Sequence, residues 1–246
     1  MKKLLFILST VFLPLFLFGQ EALESNLINS LLAYDQAAKN SGTEENDPDL
    51  QNFTHILQET ILKTDLKNLN KFKETIDTLN FVLEKYKSEK GDFILYHLSS
   101  PTSYHWSYII NDDRIILQDN RYHQYFTEIH NLNLQEFLLI SQMDELVFSC
   151  NYATVFRKKK NIYVKKVAFG KKMMLTVCNF THVEDGKGHY SLPVKRITFD
   201  YASKTISYGL CMDLETGEKT VGKSAYINGK FNIKDCDERQ GFTKIE

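Results

Sequence analysis

The spacing of apolar residues along this chain changes character near Gly91. Before it, apolar positions recur every three or four residues; after it, they mostly alternate with polar ones. Residues 22–38 carry Leu23, Leu27, Leu31 and Tyr34 at helical spacing, which predicts one amphipathic helix. Residues 40–47 are polar and charged, and predict a loop. Asp47-Pro48 then has the form of a helix start, with Asp as cap and Pro in the first turn. From there to Lys87 the pattern is helical, broken near Lys67-Asn68. Its second part repeats Leu69, Phe72, Ile76, Leu79, Leu83 and Tyr86, a stripe regular enough to be a packing face. Residues 20–90 therefore read as a helical segment that packs on the β part of the chain.

Past Gly91 the predicted elements are strands. Residues 92–98 form one, and 104–110 pair with 114–118 across the turn Asn111-Asp112-Asp113. Asn133 with Glu136 three residues on is a capping-box pattern, which predicts a short helix over 134–143. Residues 145–212 then read as five consecutive strands: 146–156, 162–169, 173–183, 190–201 and 205–212. The first places Leu146, Phe148, Cys150, Tyr152 and Phe156 on one face. Residues 219–227 and 230–233 pair across Asn228-Gly229, a strong short-range hairpin signal. The fold class expected is α+β: N-terminal helices followed by a mostly antiparallel β-meander, sandwich-like or barrel-like, over residues 91–246.

The first residues change the picture of where the protein works. Met1-Lys2-Lys3, the apolar run 4–18 and Gly19 together have the form of a secretory signal peptide over 1–19. An exported chain, periplasmic or extracellular, is the expectation, with mature protein beginning near Gln20. No cysteine follows the apolar run before Cys150, so a lipoprotein-type anchor has no residue to carry it, and no stable membrane anchor is expected. The formal charge is −1. A near-neutral chain has no general attraction to nucleic acid or anionic lipid, so nucleic acid is not an expected partner. The run Arg157–Lys160, with Lys165-Lys166 and Lys171-Lys172, is a local exception and reads as strand-edge and turn lysines. Four cysteines in an exported chain favour disulfides. In a simple meander Cys150 and Cys178 sit two strands apart, roughly 9–10 Å, beyond the ~7 Å that a disulfide spans. Cys211–Cys236 is the pair expected, leaving Cys150 and Cys178 as buried thiols unless the sheet folds over on itself.

Candidate chemistry concentrates in residues 92–126, where tyrosines, histidines and the single Trp interleave with Asp and Asn. Rings with an apolar face and a polar tip can stack on sugars or peptides. Tyr104, His105, Trp106, Tyr108, Tyr122 and His123 are the candidate ligand-binding residues. Half-buried strands also favour such rings without any ligand. The histidines share no short metal-ligand spacing, so no metal site is expected. The run 184–188 lacks the periodicity of a calcium loop. No phosphate-cradling glycine loop and no Gly-x-Ser-x-Gly elbow occur, and no cofactor is expected.

One local pattern is sharper. Gly91-Asp92-Phe93-Ile94, then His105-Trp106 opening a strand, then Asn111-Asp112-Asp113 turning into Arg114-Ile115-Ile116, resembles the core of papain-like cysteine enzymes. The resemblance is to NlpC-type cell-wall peptidases and the circularly permuted lecithin:retinol acyltransferase-like group, over residues 91–118. It implies His105 as general base, Gln118 as the group orienting the imidazole, and Cys150 or Cys178 as a nucleophile forming an acyl-enzyme. That family sets its nucleophile at a helix start, whereas both cysteines here fall in predicted strands, and Gln118 is one position late. With the catalytic set incomplete, the function expected is an exported, non-catalytic binding protein for a carbohydrate, peptide or protein. The alternatives are a cysteine amidase or acyltransferase using His105, and a protein-interaction or immunity-type partner using the helical segment.

Overall fold

A computed structural model describes the backbone of residues 2–41, 46–144, 148–180, 197–212 and 219–233, with side chains from Gly19 on except at some segment ends. The chain forms two compact units, Met1–Leu83 with Ser99–Thr102, and Glu84–Leu98 with Ser103–Glu246.

The first unit is helical. Helix α1 (Lys2–Ser41) extends the predicted 22–38 helix in both directions. Its stripe is buried at Leu27, Leu31 and Tyr34. Helix α2 (Pro48–Lys63) starts as its sequence dictates: Asp47 Oδ1 accepts from the amides of Asp49 and Leu50 at 2.8 and 3.3 Å. A 3₁₀ turn, Leu66–Asn68, stands at the predicted break, and α3 (Asn70–Thr78) comes after it. The stripe was expected to run on to Tyr86, and it does not. Asn80 takes a left-handed φ of 59°, and Phe81 N donates to Ile76 O at 2.9 Å, the six-to-one bond of a Schellman stop. Leu83 and Tyr86 belong instead to strand β1 (Val82–Lys87). Among the described residues no helix is long and apolar enough to cross a membrane.

The remainder is three antiparallel sheets. One has the order β1-β2-β3-β4, with β2 (Ile94–Ser99), β3 (Tyr104–Asn111) and β4 (Arg114–Tyr122). The second holds β5 (Gln124–Asn131), β6 (Glu136–Asp144), β7 (Phe148–Lys159) and β8 (Ile162–Lys166), with β9 (Met174–Phe180) also on β7. The third has the order β10-β11-β12-β13, with β10 (Ile197–Asp200), β11 (Thr205–Met212), β12 (Lys219–Ile227) and β13 (Lys230–Phe231). Asn228 and Gly229 join the last two with φ of 50° and 79°, the positive pair that a type I′ hairpin turn requires.

The second sheet is apolar on both faces. Phe137, Leu139 and Phe156 pack with Phe93, Leu95 and Ile109 of the first sheet. Leu138, Ile140 and Val155 pack with Ile197, Ile206, Tyr208 and Phe231 of the third. Every residue of β6 from Glu136 to Gln142 is buried. This overturns the helix expected over 134–143: a strand covered on both sides has no polar face, so its apolar run loses the alternation that marks a strand. The capping-box residues turn the chain instead. Asn133 Oδ1 accepts from Gln135 N at 2.9 Å, and Asn133 Nδ2 donates to Glu136 Oε2 at 2.7 Å.

The simple meander also fails at one place. β7 is twelve residues long, and β6 pairs along one of its edges from Ser149 to Arg157. β8 pairs with its Val155–Lys159 end, and β9 returns to pair with Phe148–Thr154. Cys178 therefore stands directly opposite Cys150 in register, not two strands away. Leu146, the loop 184–189 and Cys236 lie outside the described residues.

Candidate functional site

The hairpin β2–β3 brings His97 and His105 onto adjacent strands. His97 Nδ1 lies 3.2 Å from Glu84 Oε2, and His97 Nε2 lies 3.0 Å from His105 Nδ1. An ionised Glu84 only accepts, so it takes the Nδ1 proton of His97. One proton lies between His97 Nε2 and His105 Nδ1, and Nε2 is the His105 nitrogen outside that contact. Tyr125, at the start of β5, lies across both rings. It stacks on His97 at 4.6 Å and 3°, and on His105 at 4.6 Å and 26°. Its hydroxyl donates to Asp144 Oδ2 at 3.0 Å. Asp144 is held in turn by Gln142 Nε2 at 2.9 Å and Ser149 Oγ at 2.6 Å.

Two carboxylates thus bracket a stack of three rings. His97 is buried, while His105 and Tyr125 keep part of their surface open. Burial pushes the His105 imidazole down to about 4, and the neighbouring His97 pushes the same way; Asp144 opposes and His123 adds a little. At neutral pH the ring is uncharged. Tyr125 is raised well above its ordinary range by burial and then by Asp144. Tyr86 is raised to about 12 by burial and by its hydrogen bond to Glu84. The arrangement keeps the Tyr86 and Tyr125 hydroxyls protonated, the imidazoles oriented, and one nitrogen of His105 outside the His97 contact.

The residues expected to bind a ligand separate into two groups. Tyr104, Trp106 and Tyr108 are buried at 5, 0 and 1 % exposure, so in this structure their rings fill a core and present no face. Tyr122, His123 and His105 stay partly exposed. Tyr122 meets Tyr104 edge-on at 4.9 Å, and His123 takes a left-handed φ of 60° as β4 gives way to β5. Gln118, the orienting group implied by the papain-like resemblance, pairs with Tyr108, whereas His105 pairs with Arg121. Three steps along an unbroken ladder put Gln118 on the opposite face of the sheet from His105. His97 holds the imidazole instead. The rings and charges around His105 are His97, Tyr125, Asp144 and His123, while Cys150 lies on β7 facing Cys178.

Glu84, His97, Tyr125 and Asp144 were not among the residues singled out. Two histidines eight apart across a turn could have been read as facing positions of a hairpin. The tyrosine and the aspartate arrive from another sheet, which local spacing does not encode. Among the described residues no group of three or more His, Cys, Asp or Glu is placed to hold a metal ion.

Two other polar clusters tie strands together. Glu136, buried at 4 %, accepts from Arg157 Nε, from Lys166 Nζ at 2.7 Å, from Tyr226 OH at 2.6 Å and from Asn133 Nδ2. Burial opposes its ionisation, but these bonds, led by that of Lys166, hold it down at about 2. His130 sits between Glu89 (2.6 Å) and Glu128 (3.0 Å) and packs on Phe199. Burial alone lowers its pKa; the bonds to Glu128 and Glu89 outweigh that and raise it. No protein-family model matches this chain, and no curated protein matches it in sequence.

Proposed function

We propose that the chain is an exported, non-catalytic binding protein, with its recognition surface at the partly exposed edge of the His105–Tyr125 stack and the flanking His123. The ligand class is a hydroxyl- or amide-bearing surface, a carbohydrate or a peptide, free or as part of a protein. The observation that carries this reading is the neutral His105, held by His97 and stacked on Tyr125, with a pKa of about 4. A base that weak is poorly matched to removing a proton from a thiol near 8.5, yet it is a good fixed acceptor for a ligand hydroxyl. Cys150 is engaged in a disulfide, which supports the non-catalytic reading further, because a bonded sulfur is no nucleophile. The N-terminal pattern of residues 1–19 supports export.

The test is titration of the protein with glycan and peptide panels, read by calorimetry and by NMR of the His105 and Tyr125 ring signals. His123→Ala should weaken a bound ligand by roughly 0.5–1.5 kcal/mol, the worth of one net hydrogen bond. Rapid alkylation of Cys150 or Cys178 near pH 6 that disappears in His105→Ala would refute the reading and make the protein a cysteine enzyme. Recovery of the exported species with Met1 retained would refute cleavage after Gly19.

A further inference from the structure

We propose that the end of the β-rich unit away from the His105 site docks reversibly on an anionic lipid surface. Tyr125 and Asp144 lie at one end of β5 and β6; the β5–β6 turn lies at the other, roughly 20 Å along the strands. Three hairpin tips meet at that far end. The Glu136 cluster joins them: Lys158 N donates to Gln135 O at 2.8 Å, Tyr226 OH reaches Glu136, and Lys166 Nζ reaches Tyr226 OH at 3.1 Å. Gly229, in the β12–β13 turn, approaches so close that a Cβ there would stand 2.8 Å from Lys166 Nζ.

Each tip carries one bare aliphatic side chain. Leu134 is 86 % exposed in the β5–β6 turn, Ile162 is 64 % exposed where β8 begins, and Ile227 is 65 % exposed where β12 ends. Cations stand among them. Lys159 pairs with Ile162, Lys230 pairs with Ile227, and Lys158 and Lys160 flank the β7–β8 turn. Among the described residues none of these four lysines forms an ion pair. Acidic side chains are also close by: Glu136 is spent within the cluster, and Asp112 of the β3–β4 turn acts on Tyr163.

Lysines alone would suit a strand edge kept from pairing, but that role needs no aliphatic residue at the tip of every hairpin. Nucleic acid is the other polyanion with the right charge, yet single strands are gripped by exposed aromatic platforms, and these tips are aliphatic. Aliphatic tips that enter the acyl boundary while a collar of lysines meets the headgroups fit an anionic bilayer. Attraction through this end orients the β-rich unit with the His105 site facing away from the lipid.

The test is flotation of the full chain, in the N-terminal form its host yields, with vesicles of phosphatidylglycerol and phosphatidylcholine at about 1:2 and with phosphatidylcholine alone. Wild type and variants share the same N-terminus, so any contribution of residues 4–18 cancels. Each lysine at such a surface is worth about fivefold, so Lys158→Gln/Lys159→Gln/Lys160→Gln should lower partitioning by about a hundredfold. Leu134→Ser/Ile162→Ser/Ile227→Ser should lower it at every salt concentration, and Tyr122→Ala should leave it unchanged. All six changed side chains are exposed, so circular dichroism should match wild type; Leu134→Ser alone serves if a triple variant fails to fold. Equal binding to both vesicle types, or vesicle binding untouched by the glutamine and serine variants, overturns the proposal. So does a glutamine variant that loses retention on tRNA while keeping its vesicle binding.

Discussion

Glu136 accepts from four different side chains, and replacing it tests how the sheets are held together. Glu136→Gln keeps the volume and removes the charge, leaving Lys166, with 13 % of its side chain exposed, facing a neutral amide. The carboxyl stands at about 2 against an ordinary 4.5. At about 1.4 kcal/mol per unit, that difference is worth about 3 kcal/mol, in line with the cost of breaking a buried ion pair. The sign is set by the direction of the shift. A carboxyl whose pKa is depressed on folding contributes fully above its unfolded value and loses that contribution as pH falls through the folded one. Wild type should therefore exceed Glu136→Gln by about 3 kcal/mol at pH 7. More than half of that margin should be gone near pH 3, and nearly all below about 2. Urea unfolding followed by Trp fluorescence suits the measurement, since Trp106 is the single tryptophan and is fully buried on β3. A margin under about 0.5 kcal/mol at pH 7, the range of ordinary surface substitutions, would refute the argument. A margin that stays constant from pH 5 to pH 3 would refute it too.

Three further outcomes are expected. Non-reducing peptide mapping should join Cys150 to Cys178, since facing residues of an antiparallel pair lie about 4.5–5.5 Å apart, within disulfide range; Cys150 recovered with Cys211 or Cys236 would contradict the register argument. His130, raised by Glu128 and Glu89 against the pull of burial, should stabilise the fold fully below about pH 6.5 and progressively less as pH rises through its folded pKa. His130→Gln should lack that pH dependence in thermal melts, and identical profiles would count against the ion pairs. His97→Gln should move the His105 titration up from about 4 toward its ordinary 6.5 in NMR, with burial still holding it below that value; an unmoved titration would refute the part assigned to His97.

Elements with one exposed face were legible in the sequence. The Asp47-Pro48 cap, the Asn228-Gly229 hairpin, the β3–β4 hairpin and most of the later strands can be read from alternation and turn chemistry. β6 was illegible for a physical reason: buried on both faces, it spells a continuous apolar run that local pattern reads as helix. The helix stripe ran past its true end because Leu79, Leu83 and Tyr86 keep a three-and-four spacing across Asn80, where the backbone turns left-handed. The return of β9 to β7 depends on strands pairing at a distance, and the cysteine argument failed with it. Of the candidate site, the region was legible but its working pair was not. His105 could be singled out from its neighbours, whereas Tyr125 and Asp144 reach it from another sheet.

The split edge of β7 also sets an order of assembly during synthesis. Where β8 leaves that edge and β9 rejoins it, residues 167–173 swing out as a loop, and that loop is finished by a segment from far later in the chain. Phe231 N donates to Ala168 O at 2.7 Å, Gly170 N donates to Phe231 O at 3.2 Å, and the rings of Phe169 and Phe231 lie parallel at 5.3 Å. At ribosomal rates of about 5–20 residues per second, Phe231 emerges on the order of several seconds after Phe169. For that interval Ala168 O, Gly170 N and the Phe169 ring lack the partners that Phe231 supplies. A nascent chain at this stage is the form most open to chaperone capture or to a mispaired neighbour, and a chain halted before Phe231 would remain in it.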